Sequence, residues 1–208
     1  LSGMGYLGGF KPGFSFAEIG QQFPDNTYLW LRLLPTLAGT LLPIVIYLLA
    51  LRLGFSRLAA ASAAILIILE NAITAQSRFI LLDSLLVFFG FSALLLYARY
   101  YQTHKITNLI VAVVLATCAA SVKWTGITFL AVIGFFELIN LIRHPNLQFL
   151  GSRIGIALFS VALYGSIFGL HLSLLSKAGP GDAFMSQGFQ KTLAGNIYEN
   201  DTTIKTKG

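Results

Sequence analysis

The chain has 208 residues, of which 56% are hydrophobic and only 11% charged, with a formal net charge of +6. An ordinary soluble domain carries roughly a quarter charged residues, so too few polar groups are present to clothe a water-facing surface, and a mean hydropathy of +0.76 marks a membrane protein. The basic balance does not indicate nucleic acid, because the Lys and Arg residues are strung singly between apolar segments, as in the loops of a polytopic protein.

Residues 1–27, "LSGMGYLGGFKPGFSFAEIGQQFPDNT", are rich in glycine and aromatics and read as a loop with a short interfacial helix. No basic n-region with a small-residue cleavage site opens them, so no signal peptide is expected. Six apolar segments follow, at about 28–50, 58–77, 82–101, 106–122, 125–142 and 153–175, each near the roughly 20 residues that one crossing needs. They are too long and too little alternating for barrel strands. The expected fold is therefore all-α and polytopic, a bundle of about six transmembrane helices over 28–175, with 1–27 and 176–208 as loops outside the bilayer. The two shortest segments are separated by "SVKWTG". The lone cysteine, Cys118, has no partner within the chain for a disulfide.

Charge counting gives an orientation. One set of loops holds Arg52 and Arg57, then Arg99, His104 and Lys105, then Arg143, His144 and Arg153, with no acid among them; that face is read as cytoplasmic. Arg32, Arg78, Asp83 and Lys123 then gather on the opposite side, where the positive-inside bias gives no reason for cations. Charges at a membrane edge are costly enough to face a cavity or a partner, and three cations with one carboxylate suit an anion such as phosphate. A plainer reading stands beside this: Arg78 and Asp83 form a structural ion pair, Asp83 caps the helix at Ser84, and Arg32 and Lys123 snorkel to headgroups.

In "LENAITAQSR", the sets Asn71, Thr74, Arg78 and Glu70, Thr74, Ser77 share one broad helical face, giving a polar stripe in which Glu70 and Asn71 act as intramembrane support. Read as a residue roughly two turns inside the membrane edge, Glu70 should be protonated or paired. Glu137, near a cytoplasmic end, reads as ordinary, and His171 as a packing residue. No metal-ligand spacing, phosphate-binding loop or nucleophile elbow is present.

The series "FPDNTYLWLRLLPTLAGTLLPIVIYLL", "LENAITAQSRFILLDSLLVFF", "SVKWTGITFL" and "KAGPGDAFMSQGFQKTL" resembles, in order and spacing, the protein O-mannosyltransferase family. The resemblance implies a GT-C glycosyltransferase fold and transfer of mannose from a polyprenyl or dolichyl phosphate to Ser or Thr hydroxyls of proteins on the non-cytoplasmic face, in the endoplasmic reticulum or a bacterial plasma membrane. It implies inversion at the anomeric carbon, with a carboxylate taking the hydroxyl proton and the lipid phosphate leaving. The family's early acidic Asp-Glu pair and His-Pro-Pro motif would lie before Leu1, so the chain reads as a fragment and no residue in it is assigned as base. By motif match, Arg32, Arg78 and Lys123 are carried over as phosphate contacts, and Asp83, with Arg78, as catalytic, Asp83 orienting a cation or the acceptor.

The expected partners are the lipid-phosphate-linked sugar as co-substrate, the acceptor protein, membrane lipids and a second subunit in a homo- or heterodimer, with neither metal nor nucleic acid. The alternatives are another lipid-phosphate-sugar transferase of the same fold, and a non-enzymatic transporter or anion-binding subunit.

Overall fold

Long runs of Leu, Ile, Ala, Val and Phe without charge become helix because only a helix satisfies every backbone N–H and C=O within its own segment. The structure, a computed structural model, describes residues 2–11, 14, 17–19, 21–179 and 181–204. Its helices are α1 (Ser2–Leu7), α2 (Leu29–Arg52), α3 (Arg57–Leu69), α4 (Asn71–Arg78), α5 (Asp83–Thr103), α6 (Ile106–Val122), α7 (Ile127–Arg143), α8 (Leu147–Leu174) and α9 (Gln187–Gln190). No strand occurs among the described residues, and the all-α polytopic class holds. Among the described residues four helices, α2, α5, α8 and α7 with the turn before it, are long and apolar enough to span a membrane.

The other two expected spans differ in form. The segment expected as one helix over 58–77 is two helices, α3 and α4, bent by 55° at Glu70, and counting them as one broken span gives five. α6, with 17 residues, is shorter than a full crossing but is the best-packed helix, with Leu109, Ala112, Val113, Ala116, Thr117, Ala119 and Ala120 buried. Small residues along it let α5 approach closely, and Ala93, Tyr97 and Tyr100 of α5 complete a core with Ile133 of α7.

The chain divides into two compact units, 1–164 and 165–208, with the division inside α8. In the first unit side-chain contacts show which helix ends lie together. The Thr36 hydroxyl of α2 donates to the Ser77 carbonyl of α4 at 3.0 Å, and a side chain at Gly39 would meet the Ser77 Cβ at 2.5 Å, so glycine permits this crossing. Arg52, at the other end of α2, exchanges two hydrogen bonds with Gln102 near the end of α5. Each end of the unit thus collects alternate helix termini, as the charge count requires.

The second unit has its own hydrogen bonds. Lys177 and Ala194 form a parallel bridge, and the Asp182 carboxylate accepts from the Gly179 amide at 2.8 Å and the Asn196 side chain at 3.0 Å. Ser186 caps α9. Further on, Thr203 donates its amide and its hydroxyl to Asp201, which holds the Asp201 carboxyl below the usual carboxylate range. His171, expected to pack, is exposed.

Candidate functional site

Asp83 is the first residue of α5, where the partial positive charge of a helix N-terminus favours a carboxylate. The cap position itself is Leu82, with no side-chain capping bond, so the expected capping role of Asp83 is not what the structure shows. Its partner is Lys123, whose ammonium lies 3.1 Å from Oδ1. Lys123 ends α6 in extended conformation and leads into a 3-10 turn, Trp124–Gly126. A Cβ at Gly126 would sit 2.3 Å from the Ala119 carbonyl oxygen. Only glycine lets the chain double back this tightly, and the reversal sets Lys123 beside the start of α5.

Arg78 lies in the last turn of α4, and residues 79–82 separate it from α5. The ion pair expected between Arg78 and Asp83 is therefore replaced by one between Lys123 and Asp83. Arg78 is exposed, and among the described residues it makes no hydrogen bond or ion pair. Arg32, in the first turn of α2, holds its guanidinium 4.7 Å from the centre of the Tyr28 ring, a favourable cation–π contact. Its Nε is buried without an acceptor, as is the hydroxyl of Ser84, which is 3% exposed. Buried polar atoms without partners are rare and call for an explanation. Arg32, Arg78, Asp83 and Lys123 thus belong to the same end of the first unit, with donor capacity in excess of acceptors.

Glu70 is the N-cap of α4, its carboxylate accepting from the Ile73 amide at 2.7 Å. The expectation of a mid-helix carboxylate is corrected: the helix breaks at Glu70, and a backbone N–H, not a neighbouring charge, is its contact. Asn71 is the exposed first residue of α4. The stripe does continue as local bonding, with the Ser77 hydroxyl donating to the Thr74 carbonyl at 2.9 Å. Among the described residues no group of three or more His, Cys, Asp or Glu is placed to hold a metal.

The opposite end holds a cluster that the reading of Glu137 as ordinary missed. Glu137 is 8% exposed; it accepts from the Tyr97 hydroxyl at 2.9 Å and from Arg153 Nε. Arg153 also donates to the Tyr100 hydroxyl and covers the Phe149 ring at 4.1 Å. The signal was available, since an acid within "GFFELIN" must find a partner. Two cavities open near this end. One of about 380 Å³ is lined by aliphatic side chains with Glu137, Arg153 and Ser160, and one of about 460 Å³ includes Arg52, Gln102 and Arg143. Neither is lined by Arg32, Arg78, Asp83 or Lys123.

The family model described as dolichyl-phosphate-mannose-protein mannosyltransferase matches residues 1–176. A protein O-mannosyl-transferase 1 of Mus musculus is 38% identical, the match covering 93% of this chain and 28% of the relative. A dolichyl-phosphate-mannose--protein mannosyltransferase 1 of Candida albicans is 34% identical, covering 96% and 25%. A dolichyl-phosphate-mannose--protein mannosyltransferase 3 of Saccharomyces cerevisiae is 31% identical, covering 92% and 28%. The chain thus spans between 25% and 28% of the length of these curated relatives. No solved structure matches it significantly.

Proposed function

The chain belongs to the dolichyl-phosphate-mannose-protein mannosyltransferase family, and from that premise we infer that its Asp83 end forms the donor-phosphate part of an enzyme that moves mannose from dolichyl phosphate to Ser or Thr hydroxyls of proteins. The observation that carries this is the surplus of donors there among the described residues: Arg78 without a partner, Arg32 Nε buried without an acceptor, and Lys123 using one contact of an ammonium that can make three. As the anomeric C–O bond breaks, negative charge accumulates on the lipid phosphate, and fixed cations stabilise it most at that moment. Asp83 has the role of orienting a cation: paired with Lys123, it aims the ammonium instead of taking the acceptor proton. No residue of this chain is assigned as the base.

The enzyme is placed in the endoplasmic reticulum membrane, a reading that relatives from an animal and two fungi favour over a bacterial plasma membrane. In this reading 28–175 is the membrane domain, and 1–27 and 176–208 lie on the lumenal, active side. The positive charge of the Arg52, Arg99, Arg143 and Arg153 segments supports that orientation.

The test is mannosyl transfer by the full-length enzyme. Arg78→Ala should lower the rate by roughly 10²–10³ without loss of folded protein, and Arg78→Lys should rescue only in part, because the planar fork is lost. Near-normal transfer by a stably expressed Arg78→Ala protein would reject the phosphate role.

A further inference from the structure

We propose that Asn200 is an N-glycosylation site, its side-chain amide accepting an oligosaccharide from a lipid-pyrophosphate donor. Of the seven asparagines in the sequence, Asn200 alone begins an Asn-X-Thr triplet, Asn200-Asp201-Thr202. That triplet is the acceptor pattern for N-linked glycans when it lies on an exposed, non-cytoplasmic loop. The match is a short pattern, so the structural setting has to decide whether it can be used.

Three features of the second unit meet the requirement. Asn200 and Thr202 are both exposed, and neither side chain makes a hydrogen bond among the described residues, so no internal bond has to be broken for the triplet to enter an enzyme's groove. Asn200 is the third residue of a turn closed by the Asp201 amide donating to the Tyr198 carbonyl at 3.1 Å; a turn tip presents its side chain outward and tolerates a bulky addition. The triplet also lies well beyond the end of α8 at Leu174, clear of the apolar segment. The fourth requirement, a lumenal location, rests on the orientation adopted under Proposed function.

The chemistry balances without a redox partner. The Asn200 Nδ2 forms a bond to the anomeric carbon of the first sugar and loses one proton, while the bond from that carbon to the pyrophosphate oxygen breaks and the lipid pyrophosphate leaves. The Thr202 hydroxyl serves recognition and is not consumed. Asp201, in the middle position, accepts from the Thr203 amide and hydroxyl, outside the triplet.

The experiment uses the full-length protein expressed in eukaryotic cells, with mass spectrometry of the tryptic peptide 192–205 before and after enzymatic release of N-glycans, which converts a glycan-bearing asparagine to aspartate. The expected result is a glycan on Asn200, lost in Asn200→Gln and in Thr202→Ala but kept in Thr202→Ser, with membrane insertion unchanged in all three. Recovery of the wild-type peptide only in unmodified form would overturn the proposal. An Asp201→Ala variant then separates the causes. Glycosylation of that variant alone would mean that the loop is lumenal and the native triplet idle, whereas no glycan in either inserted protein would also overturn the orientation on which the proposed function rests.

Discussion

The first unit carries an acid–base pair at each end, and the two pairs differ in what surrounds them. Glu137 and Arg153 are enclosed: one carboxylate oxygen takes the Tyr97 hydroxyl and the other Arg153 Nε, while the guanidinium also reaches Tyr100 and Ser152 and lies over Phe149. Asp83 and Lys123 share a single 3.1 Å contact, with side chains 32% and 59% exposed, at the same end as Arg32 and Arg78, whose guanidinium groups find no acceptor among the described residues. A saturated pair joins α5, α7 and α8 and has little left to offer a ligand; an unsaturated one is available. Under the proposed function, it is degree of satisfaction that distinguishes scaffold charge from working charge.

That contrast can be broken most forcefully at the saturated end. Glu137→Ala strands a buried guanidinium and should destabilise the full-length protein by about 3–5 kcal/mol, while replacing Glu137 and Arg153 together by methionine should cost much less. Thermal unfolding in detergent would register both, and a double variant that loses as much as Glu137→Ala would mean that the stranded guanidinium is not what destabilises the single variant.

At the unsaturated end the same manipulation should leave folding nearly intact and strike transfer. Asp83→Asn is expected to lower mannosyl transfer at least tenfold, about 1.4 kcal/mol of transition-state stabilisation. If Asp83 acts by aiming Lys123, the double variant Asp83→Asn/Lys123→Ala should be no slower than Lys123→Ala alone. Multiplying losses would show that the two residues act separately.

A smaller effect sharpens the boundary between these regions. Glu70→Ala removes the N-cap of α4, a loss of about 1 kcal/mol. Hydrogen exchange should accelerate at the Ile73 amide and through the first turn of α4, with α3 unaffected. Uniform exchange across residues 57–78 would mean that the break at Glu70 is not maintained by this cap.

The positions of the spans were legible because hydropathy and length are decisive in a bilayer: five expected segments match α2 and α5 to α8 within a few residues, apart from the start of α8 at Leu147. The break at Glu70 was not legible, since neither proline nor glycine marks it and the apolar run "AAILIIL" continues up to it. The partner of Asp83 was misread for a similar reason. Arg78 is five residues away in sequence, but residues 79–82 lie between two helices, and the true partner is 40 positions distant, brought near by the turn at Gly126. Arg32, Arg78 and Lys123 were legible as charges at the borders of apolar segments, and the structure sets each in the first turn, the last turn or the cap of a helix.

The central assignment is tested most directly by equilibrium binding of dolichyl phosphate, the leaving group itself, to the full-length protein. Each of Arg32→Ala and Arg78→Ala removes a charge-assisted contact and should weaken binding by about 1.5–3 kcal/mol, roughly ten- to a hundredfold, while Arg52→Ala at the opposite end should leave it unchanged. Affinities equal to wild type in both Asp83-end variants, with the proteins folded, would contradict the account.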